Sequence, residues 1–334
     1  MNFCIAGAGS WGTAVAIHLA RLGHPVSLVA RRMEHALQLA SERENRAYLP
    51  GIHFHDDLQV GHELKPALME ADVLFLACPS QWLRSQCELA RAALPSAKRL
   101  RLVISLCKGL ERETLHSAAE VMQEALPGFQ YGVLSGPSFA NEVARGQPTA
   151  IVLASDSEAA YSAKVQQALS NEQLRVYTSD DLKGVELGGA LKNVYAIAVG
   201  LCDGLKLGDN AKAALITRSL AEIVVLGALL GGRIETFYGL SGLGDLTLTC
   251  NGAASRNRLL GQRLAEGEQA AELINSGALM AEGYWAADCF YQICRQHDLM
   301  APILSEVYAV LYQGKRPQEV IHSLMQRKLK AEKG

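Results

Sequence analysis

The first twenty residues constrain the fold more than any other stretch. Asn2-Phe3-Cys4-Ile5-Ala6 is a short apolar run, Gly7-Ala8-Gly9-Ser10-Trp11-Gly12 is a turn with three glycines, and residues 13–20 carry the pattern of an amphipathic helix. A strand that turns directly into a helix leaves the first helical N–H groups unpaired, with the dipole's positive end at the turn, and that suits an anion. Each glycine has its own duty in such a turn. Gly7 permits the tight turn off the strand, Gly9 lets backbone approach a phosphate, and Gly12 lets the helix pack close on the strand. A bare G-x-G-x-x-G is a weak signal. Between a strand pattern and a helix pattern it reads as a dinucleotide pyrophosphate site, against the alternative of a glycine turn with no ligand.

The second strand bears on which dinucleotide. Gly23 ends the helix, and residues 25–30 form the next apolar run. An Asp or Glu at its end would bind the ribose 2′-OH of NAD. Arg31 and Arg32 stand there instead, and no acid does. A guanidinium can grip a 2′-phosphate bidentately, so NADP(H) is the expected preference and NAD(H) the second choice. The competing reading is a solvated basic turn.

The chain has 334 residues, 49% hydrophobic and 20% charged, enough for two cores. Strand candidates are 3–6, 26–30, 73–77, 102–106, 131–134, 150–154 and 174–177. Runs such as Val73-Leu74-Phe75-Leu76 suit strands covered on both faces, as in a parallel sheet. After about residue 181 strand runs stop and helical periodicity takes over, at 185–201, 211–230, 256–265, 284–296 and 302–312. The expected fold is a Rossmann-like, doubly wound parallel sheet followed by an all-α region. The expected division is a dinucleotide-binding domain, 1–181, and a helical substrate-binding and catalytic domain, 182–334. Ligands bind at the carboxyl ends of such strands.

Other classes of function fit poorly. A net charge of -2 and a pI near 6.5 argue against nucleic acid. The N-terminus shows no basic n-region or cleavage signature, so no secretory signal is read and a cytoplasmic protein is expected. The longest apolar stretch, 216–230, contains Arg218 and Glu222 and reads as a buried helix, not a stable membrane insertion. Eight cysteines lack C-x-x-C spacing and read as reduced core thiols. His53 and His55 would share a face on a strand, but no third ligand has suitable spacing, so no metal is expected.

Three places could carry chemistry. Lys192 lies in Gly188-Gly189-Ala190-Leu191-Lys192-Asn193-Val194. A lysine among apolar neighbours is costly unless paired or used. Its side chain leans back over positions 188 and 189, where two glycines are expected to leave open space for a small substrate. The alternative is a lysine snorkelling to the surface. Ser255 is a candidate N-cap, placing Arg256 and Asn257 in the first turn of a helix, where N–H groups and a guanidinium suit a phosphate. Asp245, in a glycine-rich loop, could orient a lysine or only cap a helix.

The motifs Gly7 to Gly12, Lys108-Gly109, Ser135-Gly136-Pro137-Ser138-Phe139-Ala140, Leu191-Lys192-Asn193-Val194, Gly242-Leu243-Gly244-Asp245 and Ser255-Arg256-Asn257 together resemble bacterial-type NAD(P)-dependent glycerol-3-phosphate dehydrogenase. The resemblance runs in order along nearly the whole chain. It implies interconversion of dihydroxyacetone phosphate and sn-glycerol 3-phosphate, a supply of glycerol phosphate for phospholipids, and a homodimer. It further implies that Lys192 is the proton donor and acceptor, and that Lys108, Gly136, Ser138, Asp245, Ser255, Arg256 and Asn257 surround the substrate. By the same resemblance Ser10, Trp11, Arg31, Arg32, Lys108, Ala140, Arg256, Met280 and Glu282 contact the cofactor. Met280 departs from the family, where a smaller aliphatic is commoner. Two other readings are a 3-hydroxyacid-type dehydrogenase of similar layout, which would need no Ser-Arg-Asn phosphate site, and a non-catalytic NADPH-sensing module.

Overall fold

An eight-stranded sheet forms the first half of the chain in a computed structural model that describes every residue except Arg327, Lys330, Lys333 and Gly334, and of Ile321 the backbone alone. The strands are β1 (Phe3–Ala6), β2 (Val26–Val29), β3 (Glu44–Asn45), β4 (Leu49–His53), β5 (Leu58–Gly61), β6 (Val73–Leu76), β7 (Leu102–Ser105), β8 (Gln130–Ser135), β9 (Thr149–Ser155) and β10 (Leu174–Ser179). The sheet order is β10-β9-β8-β7-β6-β1-β2-β5, with β3 and β4 paired apart from it. Every residue of β1, β6 and β7 is buried. Alternation divides them between two cores: Phe3, Ile5, Phe75 and Ile104 face one, and Cys4, Ala6, Leu74 and Val103 the other. This is why these strands read as continuous apolar runs. Chain order reverses beside β1, with β2 on one side and β6 on the other, which opens a crevice at the carboxyl ends of the strands.

The doubly wound sheet is as expected, with one refinement. β9 pairs antiparallel with β8, and β10 parallel with β9, so the last two strands oppose the other six. An apolar run carries no information on direction. β3, β4 and β5 have no counterpart among the strand candidates: they are short and half polar, and β4 contains Pro50 and Gly51, which read locally as a turn.

From Leu182 onward the described residues form helices and no strand. Asp181 starts the first by accepting hydrogen bonds from the Gly184 N–H at 2.9 Å and the Arg233 N–H at 2.9 Å. That helix, Leu182–Gly204, is the axis of the helical part, and its residues 184–202 are all buried. Helices Asp209–Leu229, Asp245–Asn251, Arg256–Ala265, Glu282–Gln296 and Pro302–Tyr312 pack around it. Among the described residues it alone is long and apolar enough to cross a membrane, and its apolar stretch lies inside the fold. The expectation of a buried helix over 216–230 needs correcting. Helix Asp209–Leu229 buries only Ser219, Ile223, Leu226 and Gly227, because one face packs on the axis while Val225 and Leu229 stay exposed. His53 ends β4, and His55 lies beyond the strand, so the two do not share a strand face. No group of three metal-binding side chains occurs among the described residues.

Candidate active site

At the nucleotide end, the glycine turn has the expected geometry. Gly7 has φ +124°, and a Cβ there would lie 2.2 Å from the Ala77 carbonyl oxygen. A Cβ on Gly12 would lie 2.1 Å from the Gly7 carbonyl oxygen. Gly9 differs, because a Cβ on it would meet nothing within 4 Å, so its flank is open to a ligand. Gly9 caps helix Ser10–Arg21 without any side-chain hydrogen bond, and the first turn holds no acid. The Trp11 indole Nε1 is buried with no hydrogen-bond partner among the described residues. Free helical N–H groups, an open flank and an orphaned donor fit a dinucleotide pyrophosphate. Asn45 Nδ2 steadies the turn by donating to the Ala8 oxygen at 3.0 Å and to Thr13 Oγ1 at 2.8 Å. Ser10 Oγ donates to the Tyr48 oxygen at 2.7 Å. A groove of about 350 Å³ runs on from Gly7, lined by Val29, Arg31, His62 and Lys65 among others. Arg32 is exposed at the start of helix Met33–Glu42 and does not line the groove.

Across the carboxyl ends of β7 and β8, two lysines converge on one carboxylate. Lys192 Nζ donates to Asp245 Oδ1 at 2.6 Å and to Thr249 Oγ1 at 2.7 Å. Lys108 Nζ donates to Asp245 Oδ2 at 2.6 Å and to the Gly136 oxygen at 2.9 Å. Asp245 is 1% exposed and Lys192 7%, so Lys192 does not snorkel. Burial works to raise the Asp245 carboxyl, but the ammonium groups of Lys108 and Lys192 prevail and hold it below its ordinary value. Burial also destabilises the Lys192 ammonium; Asp245 opposes this and Lys108 adds to it, leaving the amine at about 8. An ammonium has three N–H donors. Each lysine uses two within the protein, which leaves one N–H uncommitted among the described residues.

A relay of amides frames this cluster. Asn193 Nδ2 donates to the Lys108 oxygen at 2.8 Å, Asn257 Nδ2 to Asn193 Oδ1 at 2.8 Å, and the Gly283 N–H to Asn257 Oδ1 at 2.8 Å. Ser255 caps helix Arg256–Ala265, its Oγ accepting from the Arg258 N–H at 3.2 Å. Arg256 is exposed, with no hydrogen bond or ion pair among the described residues. Glu282 opens helix Glu282–Gln296 and accepts from Ser80 Oγ at 2.6 Å and the Ser80 N–H at 3.0 Å. Burial raises its carboxyl despite those bonds. Ser138 Oγ donates to the Gly136 oxygen at 2.9 Å. Ala140 starts helix Ala140–Ala144 and packs on the nucleotide core, and Met280 is half-buried just before Glu282.

One detail of the Lys192 reading is corrected. The glycines at 188 and 189 do not leave open space. A Cβ on Gly188 would lie 2.8 Å from the Ser241 carbonyl oxygen, and one on Gly189 would lie 2.8 Å from Ser135 Oγ. They admit neighbouring chain, not substrate. Asn193 stood in a motif of the resemblance and Ser80 at the end of a strand candidate, both without a role; sequence reasoning passed over Thr249, Asn45, His62 and Lys65. Only Thr249 left a usable signal, since it follows Asp245 by four residues and shares its helical face.

Residues 2–161 match the family model described as NAD-dependent glycerol-3-phosphate dehydrogenase N-terminus, and residues 181–322 the one described as its C-terminus. The glycerol-3-phosphate dehydrogenase [NAD(P)+] of Citrifermentans bemidjiense is 42% identical over 99% of this chain and 98% of its own length. A Salinibacter ruber enzyme of that name is 43% identical over 99% and 97%. The crystal structure of glycerol-3-phosphate dehydrogenase from Coxiella burnetii superposes with a TM-score of 0.91 at 37% identity, covering 98% of this chain and 99% of that one. The matched ranges take in the glycine turn, Lys108, Lys192 and Asp245, and the family they describe is neither a 3-hydroxyacid dehydrogenase nor a sensing module. The chain belongs to the bacterial-type NAD(P)+-dependent glycerol-3-phosphate dehydrogenases, which interconvert dihydroxyacetone phosphate and sn-glycerol 3-phosphate.

Proposed function

We propose that Lys192 is the proton donor and acceptor of this reaction, that Lys108 and Asp245 hold it to the task, and that Arg256 grips the substrate phosphate. The observation that carries the reading is the Asp245 carboxylate shared between two ammonium groups, each with one N–H to spare. A nicotinamide dinucleotide bound along Gly7 to Gly12 supplies the hydride. As negative charge develops on the ketone oxygen, the Lys192 ammonium donates a proton to it. In the reverse direction neutral Lys192 accepts the proton of the secondary hydroxyl. Asp245 stays ionised throughout and fixes the amine against Thr249. Lys108, tied to Gly136, offers its remaining N–H to the substrate beside Ser138.

The phosphate end falls to Arg256 and to the N–H groups at the start of its helix, after the Ser255 cap. The Asn257 side chain is committed to Asn193 and Gly283, which leaves its backbone N–H for the anion. Arg256→Ala should cost kcat/KM heavily for dihydroxyacetone phosphate and far less for dihydroxyacetone, because remote binding energy positions the ketone. Equal losses with both substrates would assign Arg256 to the cofactor or the fold. NADPH absorbance reports both reactions, and NADPH affinity is measured in parallel because the family places this arginine near the cofactor.

NADPH is the proposed preferred cofactor, on Arg31, His62 and Lys65 in the groove beside Gly7, which outnumber its one acid, Glu63, with Arg31 the main determinant. The remaining cofactor contacts proposed are Ser10, Trp11, Arg32, Lys108, Ala140, Met280 and Glu282. The proposed domain division is 1–181 and 182–334, supported by the end of the last strand at Ser179. A cytoplasmic homodimer is also proposed. Its interface would cover the exposed apolar face of Val225, Leu229, Ile234 and Tyr238, and sedimentation would report the mass.

A further inference from the structure

We propose that Cys78 and Cys107 are a peroxide-sensitive thiol pair whose closure to a disulfide disables the lysine site. β6 and β7 are parallel neighbours with Leu76 opposite Ser105. Two residues further on, past the carboxyl ends of both strands, Cys78 and Cys107 stand opposite each other and pack on the same core. Their Sγ atoms are 4.0 Å apart, and the Cys107 thiol donates to the Cys78 carbonyl oxygen at 2.9 Å. The other six cysteines are buried, whereas these two are half-buried at the end of the sheet where ligands bind.

The chemistry balances with a hydroperoxide as oxidant. The Cys107 thiol takes oxygen from the peroxide to give a sulfenic acid and an alcohol, or water from hydrogen peroxide. The Cys78 sulfur then attacks the sulfenic sulfur. The S–S bond forms, the S–O bond breaks, and the departing hydroxide leaves as water with the Cys78 proton. The hydrogen bond to Cys107, and then burial, push the Cys78 thiol well above its ordinary value, so closure should speed up as pH rises. Cys87, buried and pushed up to about 12, lies behind the pair and is the one competing partner to exclude.

Closure would act directly on the site. A disulfide is about 2.05 Å long, so the sulfurs must approach by about 2 Å, and the Cys107 thiol gives up its hydrogen bond to the Cys78 carbonyl oxygen as the two side chains and the loops that carry them readjust. Cys107 precedes Lys108, whose Nζ holds Asp245 and whose carbonyl oxygen takes the Asn193 amide. Cys78 is two residues before Ser80, which holds Glu282. A displacement of about 1 Å in such groups costs on the order of 10² in rate.

The test treats the full-length protein with hydrogen peroxide and reads peptide masses alongside turnover. The expected result is a cross-linked Cys78–Cys107 peptide lacking two hydrogens, a fall in kcat/KM on the order of 10² at full conversion, and recovery with dithiothreitol. Cys107→Ser, or Cys78→Ala should that variant fold poorly, keeps its turnover through the same treatment. Cys87→Ser does not protect. The proposal is overturned by inactivation without the cross-link, by a cross-link with unchanged turnover, by no cross-link after prolonged exposure, or by a Cys107→Ser protein as sensitive as its parent.

Discussion

Glu186 and Asp245 are both buried carboxylates tied to helix Leu182–Gly204, the first on it and the second reaching Lys192 from the helix Asp245–Asn251. Glu186 accepts a hydrogen bond from the Ala119 N–H at 2.7 Å, and the Ser117 hydroxyl also favours its charged form. The closest lysine in sequence, Lys183, is committed to Glu120 at 2.6 Å. Burial therefore prevails and pushes Glu186 up to about 7. Asp245 is buried at least as deeply, yet each of its oxygens meets an ammonium and its carboxyl is held down. Removal from water is common to both, and the partners decide the charge. Glu186 is a tie between helix Ala118–Ala125 of the nucleotide part and the axis of the helical part. Asp245 is a fixed anion that holds two cations together at the carboxyl ends of β7 and β8.

The largest effect should come from the cation. Lys192→Ala is expected to fold and bind NADPH while kcat drops by about 10²–10⁴, the usual worth of a positioned acid. A drop of less than about fivefold would make the lysine structural, with Lys108 the next candidate. Removing the anion should come second. Asp245→Asn leaves two like charges facing each other, so turnover should fall by roughly 10² and the Lys192 amine should titrate below its present value of about 8. A pH profile unmoved by this change would show that Asp245 does not govern the amine. At the other end of the crevice, Arg31→Ala should lower the ratio of kcat/KM for NADPH over NADH about tenfold, from the loss of one charge-assisted hydrogen bond. An unchanged ratio would count against the 2′-phosphate reading.

Glu186→Gln should be the mildest, and it separates a tie from a catalytic group. Its carboxyl is raised in the folded state. The stability its neutral form contributes is full below about 4.5 and lost as pH rises through about 7. The glutamine cannot ionise, so the variant should gain on its parent by about 1–3 kcal/mol above that range and not below it. Thermal midpoints across pH check this, and turnover should stay within about twofold. A large loss of kcat would bring Glu186 into the chemistry.

How much of this was legible varies with the physics of each element. β1, the glycine turn and helix Ser10–Arg21 follow from local rules, since Gly7 and Gly12 are required by contacts their own chain makes. The buried strands β6 and β7 follow from unbroken apolar runs, and the helix Leu182–Gly204 from a largely apolar stretch of helical periodicity. The Ser255 cap was read from one hydroxyl before a periodic stretch. The direction of β9, the close packing at Gly188 and the pairing of Lys108 with Asp245 across 137 residues depend on long-range contacts that no local pattern encodes. Its place after a strand candidate drew notice to Lys108, and family resemblance, not spacing, supplied its role. β4 was hidden by its own proline and glycine.

The most direct test of the central claim is the pH dependence of kcat/KM measured in both directions. The account predicts that dihydroxyacetone phosphate reduction falls as pH rises through about 8, because the Lys192 ammonium loses the proton it must donate. It predicts that glycerol 3-phosphate oxidation rises through the same range, and that both limbs disappear from the residual activity of Lys192→Ala. Limbs that persist in that variant, or two directions that change alike with pH, would contradict it.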